Sequence, residues 1–189
     1  VIYRIHPDIS NYGLVCFDGD QAREALGEDT DFHIDESPIA YEDSWNTMVV
    51  GFGDALGSMV KPVPDLSWNV GKLYLSPKAC KVLKPIVSLY GELLPVTHDA
   101  GDGYLFNCLK VLSPVRELSV HSPLTGNFSI VFDEDSVSEA VFKSEIDFDA
   151  LFCSEEFRAV VLDNHLTGLS FSEDLGNPYP EELGMRESH

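Results

Sequence analysis

Residues 73–83 read Leu73-Tyr74-Leu75-Ser76-Pro77-Lys78-Ala79-Cys80-Lys81-Val82-Leu83, and residues 151–161 read Leu151-Phe152-Cys153-Ser154-Glu155-Glu156-Phe157-Arg158-Ala159-Val160-Val161. Each is a short apolar strand, a serine and then an amphipathic helix, so the chain uses one unit twice. A serine hydroxyl at this place can accept from the backbone N–H groups that open the helix. Pro77 suits the first helical position, where no N–H is needed. Glu155 and Glu156 put negative charge at the positive end of the helix dipole. Ser76 and Ser154 are therefore expected to be helix caps, since neither has a neighbouring base that would make it a nucleophile. Ala79, Val82, Leu83, Ile86, Val87 and Tyr90 mark a buried face behind the first serine, and Phe157, Val160, Val161 and Asn164 mark one behind the second. Pro85 is expected to kink or shorten the first helix.

Strands are expected around these units. Residues 2–6 and 14–17 flank a turn at Ser10-Asn11-Tyr12-Gly13, and Thr47 to Phe52 forms another strand. Glu92 to His98 and Tyr104 to Leu112 read as a hairpin joined across Asp99–Gly103. Phe128 to Phe132, Asp149 to Cys153 and Leu166 to Phe171 complete the set. Residues 18–46 are weakly periodic, with one helical turn at Ala22–Leu26. Pro62 and Pro64 mark an extended connector. Many strands, few helices and no regular βαβ alternation predict an α+β fold with a mixed, mainly antiparallel sheet. The expected organisation is a single domain over residues 1–172, followed by an acidic, fraying tail over 173–189.

The chain has 189 residues, 44% of them hydrophobic, which is enough to bury a substantial core. No run of about 18 apolar residues exists, so no membrane partner is expected. The opening Val1-Ile2-Tyr3-Arg4-Ile5-His6 reads as a strand and lacks the regions of a signal peptide. Cys16, Cys80, Cys108 and Cys153 are widely spaced among apolar residues, which suits buried free thiols in a reducing, cytoplasmic setting.

Charge is the second strong signal, because 12 Lys and Arg stand against 32 Asp and Glu, a formal net charge of −20. The acids cluster from Asp18 to Asp43, with Arg23 as the one opposing cation, and from Asp133 to Glu156, with Lys143 as the one opposing cation. Such a field repels nucleic-acid phosphate and steers basic partners inward. Solubility is the plainer reading of the same charge. The residues expected at a partner surface are Asp18, Asp20, Asp31, Asp35, Glu36, Asp133, Glu134 and Asp135.

Motifs of catalysis are weak. Gly51, Gly53 and Gly57 imitate a dinucleotide fingerprint, but the spacing is one residue too long and Lys61-Pro62 interrupts the helix it needs. The six histidines contain no pair at zinc-site spacing, so no metal and no cofactor are expected. His98, Asp99 and Asp102 form the nearest approach to an acid/base cluster. They carry the alternative reading, a small-molecule enzyme.

Several segments, in order, resemble one family. They are Leu73-Tyr74-Leu75-Ser76 with its helix to Leu83, Gly91-Glu92-Leu93-Leu94-Pro95-Val96, Tyr104 to Leu112, Leu151 to Phe157, and Gly168-Leu169-Ser170-Phe171. The family is the immunity-protein family of bacterial polymorphic toxin systems numbered eleven in the Imm series, once catalogued as a domain of unknown function. The resemblance covers residues 70–172. It implies a cytosolic, non-catalytic antidote that binds a cognate toxin domain, and it supplies no catalytic residues. A general acidic adaptor or DNA mimic is the other non-enzymatic reading of the charge.

Overall fold

A computed structural model of the chain describes residues 1–121, 128–180 and 183. Along the chain come β1 (Ile2–Pro7), β2 (Leu14–Cys16), α1 (Gly19–Leu26), a 3₁₀ turn (Glu42–Ser44), β3 (Met48–Val49), β4 (Gly51–Gly53), β5 (Leu66–Asn69), β6 (Lys72–Leu75) and α2 (Pro77–Val87). Then follow β7 (Gly91–His98), β8 (Gly101–Cys108), β9 (Val111–Leu112), β10 (Val120–His121), β11 (Phe128–Ser129), β12 (Val141–Ser144), β13 (Asp147–Ser154), α3 (Glu155–Asp163) and β14 (Leu169–Ser172). The strands make two five-stranded sheets, β3-β7-β8-β6-β5 and β14-β1-β13-β12-β9, and two two-stranded ribbons, β2-β4 and β10-β11. Pairing is antiparallel except where β3 joins β7 and β9 joins β12. The chain is a single-domain α+β fold.

The two five-stranded sheets share one plan. In the first, the hairpin β5–β6 leads through α2 to β7, and β8 fills the gap between β6 and β7. In the second, the hairpin β12–β13 leads through α3 to β14, and β1 from the start of the chain fills the gap. The registers correspond. Leu75 pairs with Tyr104 and Leu93 with Phe106, as Cys153 pairs with Tyr3 and Phe171 with Ile5. The same number of residues separates Leu75 from Leu93 as separates Cys153 from Phe171. The repeated unit of the sequence is thus the centre of a repeated topology.

Strand alternation decides which side chains meet. Leu73, Leu75, Phe106 and Cys108 of the first sheet and Ile5, Val141, Leu151 and Cys153 of the second face one shared core. Ala79, Leu83 and Val87 of α2 and Phe157 and Val161 of α3 fill it. Each large side chain buried there contributes about 1.5–3 kcal/mol. Val82, Ile86 and Val160 sit at the rim of the helical stripes and are half-buried. Asn164 is not on the buried face; it is exposed at the C-cap of α3. Pro85 does not cut α2 short, which runs on to Val87. The proline is exposed in the last turn, where one carbonyl loses its donor.

The two serines differ. Ser76 Oγ accepts from Ala79 N–H at 3.1 Å and donates to Asp65 Oδ1 at 3.0 Å. Ser154 occupies the N-cap position, but its hydroxyl makes no capping bond and is buried without a partner. The expectation of a side-chain cap is corrected there. Ser154 also closes β13, with its N–H bonded to Ala140 O.

Further differences have local causes. Strands β5 and β12 escape the periodicity reading. Asn69 pairs with Lys72 across a two-residue turn in which Val70 and Gly71 have φ of 48° and 64°. Two positive φ values are the geometry of the primed hairpin turns, whose usual signal is Asn-Gly rather than a β-branched residue. Gly71 is required there a second way, because a Cβ would lie 2.7 Å from Lys143 Nζ. The hairpin after β7 is tighter than expected, since His98 pairs with Gly101. Cys80, Cys108 and Cys153 are buried, whereas Cys16 is exposed. Leu175 packs against the cluster that holds Phe142 and Phe152, and its carbonyl accepts from Arg4 at 3.1 Å. Residues 181–182 and 184–189 lie outside the described residues. Among the described residues no helix is long and apolar enough to cross a membrane.

Candidate functional site

Each sheet has a second face, and the acidic stretch 18–46 covers that of the first. Phe32 is its apolar centre, fully buried with Ala22 and Ala25 against Tyr74, Leu94, Val96 and Leu105. Its ring meets Tyr41 and Trp45 at centroid distances of 4.9 and 5.2 Å.

Buried polar groups fasten the rest of this cap through its backbone. Lys72 Nζ donates to Asp35 O at 2.5 Å and lies 4.4 Å from the centroid of the Phe32 ring. Lys143 Nζ donates to Glu36 O at 2.5 Å. Burial, with the charge of Lys143, pulls the Lys72 pKa down to about 8 against the pull of Asp35 and Glu36. Glu92, itself buried, accepts from Tyr41 N–H at 2.9 Å, Glu42 N–H at 3.0 Å and Asn107 Nδ2 at 2.9 Å. Asn107 Nδ2 also donates to Ile39 O at 2.7 Å. The lysines therefore bind backbone carbonyls of the cap rather than its carboxylates.

The expected surface acids take unequal places. Asp18 caps α1, accepting from Asp20 N–H and Gln21 N–H at 3.0 Å. Asp20 pairs with Arg23 at 2.5 Å. Asp31 is exposed, while Asp35 and Glu36 are half-buried. The Asp35 carboxyl accepts from Ser37 N–H at 2.8 Å. Asp133, Glu134 and Asp135 are exposed just after Phe132, which packs on the second sheet, so these three acids lie away from the acidic cap of the first. Asp133 accepts from Ser136 Oγ at 2.5 Å, and Glu134 lies 3.2 Å from the amino nitrogen of Val1. The later acids are used by the fold. Glu139 pairs with Lys110 at 2.8 Å and Asp147 with Arg4 at 3.3 Å.

The alternative cluster does not converge. His98 Nδ1 accepts from Ala100 N–H at 3.2 Å, and Nε2 lies 2.9 Å from Tyr74 Oη. With Nδ1 accepting, Nε2 carries the proton and donates to the tyrosine. Asp99 is exposed on the turn, and Asp102 is exposed at the start of β8, paired with Thr97. Gly51 and Gly53 lie in strand β4, paired with β2, and Gly57 lies in the loop that follows it, where the fingerprint needs a helix. Asp54 organises that loop, accepting from Leu56 N–H at 3.0 Å and pairing with Lys61 at 2.7 Å. Those contacts, the Lys61 bond foremost, hold its pKa at about 2. Leu56, Met59 and Val60 stand exposed on it.

A site that the sequence reading missed lies between the sheets. Arg4 and His6 of β1, Trp68 and Asn69 of β5, Asp149 of β13 and Tyr179 line a cavity of about 260 Å³. Arg4 and His6 are 3% and 2% exposed. His6 Nε2 and Trp68 Nε1 are buried without hydrogen-bond partners. Burial, then the charge of Arg4, pushes the His6 pKa down to about 3. Burial, then Glu36 and Asp147, pushes Asp149 up to about 6 against Arg4. Convergent polar groups with shifted pKa values in a cavity are the mark of a ligand site. Alternation along β1 assigns Arg4 and His6 to one face, which reads as solvent in sequence. The covering of that face is what buries them.

No protein-family model matches the chain, and no curated protein matches it.

Proposed function

We propose that this chain is a non-catalytic binding protein that neutralises a basic protein partner, in the role of an immunity protein against a cognate bacterial toxin in the cytoplasm. One observation carries the reading. The acidic cap is fastened by Lys72, Lys143, Glu92 and Asn107 through its backbone, so that Glu24, Glu28, Asp29, Asp31, Glu42 and Asp43 remain exposed on an ordered surface. A fixed acidic surface raises the encounter rate with a basic cleft and repels phosphate-bearing competitors. The toxin role rests on the resemblance of residues 70–172.

Co-expression with the product of the adjacent reading frame tests it. The expected result is a stoichiometric complex and relief of that product's toxicity. A chain that binds several unrelated basic proteins equally well is a general acidic adaptor. A chain that forms no complex with the neighbour contradicts the immunity role.

A further inference from the structure

We propose that the loop over residues 54–62 is the apolar anchor of the interface with the basic protein partner, seated in an uncharged pocket of that partner. The inference rests on the reading of this chain as a binder of a basic protein. It names the contact that holds the complex once charge has brought it together.

The loop is built with its charges inside and its apolar side chains outside. Its ends meet, because Gly53 pairs with Leu14 and Gly13 N–H donates to Pro62 O at 3.0 Å. Asp54 organises the turn between them. It accepts from Leu56 N–H at 3.0 Å and from Met59 N–H at 3.1 Å, and it pairs with Lys61 at 2.7 Å. Lys61 Nζ also donates to Ile9 O at 2.6 Å, which ties the loop to the turn after β1. The Asp54 and Lys61 side chains are 4% and 12% exposed. Leu56, Met59 and Val60 are 66%, 74% and 100% exposed. A loop that only joined β4 to β5 would gain from the reverse arrangement, since buried apolar area stabilises and a buried ion pair contributes little. These apolar side chains contribute little to the fold, while the loop that carries them is held in one shape. A fixed loop loses little freedom on binding, which suits an anchor.

The surroundings identify the occupant. Lys61 is the one charged residue from 55 to 63, and Asp54 neutralises it. The patch is therefore uncharged, on a chain of net charge −20. Interface cores are depleted of charge and enriched in methionine, with the charged residues at the rim. A second copy of this chain carries the same −20 and is repelled, as are nucleic acid and anionic lipid. A cationic protein is drawn in by that field, so the pocket that takes the loop belongs to it.

The test measures the kinetics of the complex with the product of the adjacent reading frame for the native chain, Met59→Ser and Val60→Ser. Each variant is expected to raise the off-rate at least about tenfold, to leave the on-rate within about twofold, and to keep the melting temperature. The off-rate effect is expected to persist at about 1 M salt, where steering has faded. A complex whose off-rate ignores both variants overturns the inference and leaves the reading of a basic partner standing. Absence of any complex overturns that reading, and the inference with it. Sedimentation of the chain alone and binding to phosphatidylcholine vesicles cover the other occupants. A dimer, or vesicle binding, that Val60→Ser abolishes assigns the loop to a second copy or to lipid and overturns the inference.

Discussion

The sheet around α2 and the sheet around α3 share strand order and register, yet they are finished in different ways. Their inner faces meet in one apolar core. On the outside, the second sheet is covered by Phe132, which meets Phe142 and Phe152 at centroid distances of 5.1 and 5.3 Å. The first is covered by an acidic cap with one apolar centre, Phe32, and a perimeter of buried lysines and a buried glutamate. Beside that apolar seal the same face buries Arg4, cross-strand from Phe152 and paired with Asp147. The polar perimeter needs every partner present, because a buried charge left unpaired is costly. The repeat therefore specifies the frame, and the outer coverings are where this chain carries its charge.

The largest expected effect strikes what the sheets share. Phe157→Ala should cost about 3–5 kcal/mol in chemical denaturation, because it empties a fully buried site between both sheets. Loss confined to one sheet would break the idea of a single shared core. Glu92→Gln should cost about 1–3 kcal/mol, since it weakens the acceptor for two backbone N–H groups. Hydrogen exchange should show that loss over residues 19–46 far more than in β7 and β8. Equal loss in both would make the cap part of the frame.

The cavity between the sheets gives a pH test. Asp149 titrates near 6 in the folded chain against 3.8 ordinarily, so the fold holds that proton more tightly than the unfolded chain does. Its contribution to stability is present below about pH 4 and is lost as the pH rises through about 6. Asp149→Asn should therefore stabilise the protein by about 1–3 kcal/mol at pH 7 and leave it nearly unchanged at pH 4, read by thermal unfolding. His6 runs the other way. Its pKa is held near 3 against 6.5, so its contribution is full above 6.5 and is lost as the pH falls towards 3.

The smallest expected effects separate the two serines. Ser76→Ala removes a capping bond and should cost about 0.5–2 kcal/mol. Ser154→Ala removes a buried hydroxyl without a partner and should cost close to nothing. Equal costs would mean that Ser154 caps α3 in solution.

The sequence announces the frame well and the site poorly, for physical reasons. Apolar spacing behind Ser76 and Ser154 locates both helices, because burial and periodicity coincide there. Strand β5 stays hidden because its turn places Val70 where glycine or asparagine is usual. The capping role of Ser154 fails because a hydroxyl's position does not fix where it points. The acidic stretch shows its charge but not its anchoring. Nothing in the sequence shows that Lys72 and Lys143 are buried, because only the fold brings backbone carbonyls to them. The burial of Arg4 and His6 is hidden for the same reason, and the cavity they line is assembled from segments far apart in sequence.

The most direct test of the central claim is the association rate with the product of the adjacent reading frame, measured from 0.1 to 1 M salt for the native chain, Asp31→Lys and Asp135→Lys. Screening shortens from about 10 Å to about 3 Å over that range. The account predicts an on-rate that falls steeply with salt, a lower low-salt rate for Asp31→Lys, and an off-rate that hardly moves. An on-rate that ignores both salt and the reversals would contradict it. Recognition would then belong to an apolar surface such as the exposed Leu56, Met59 and Val60.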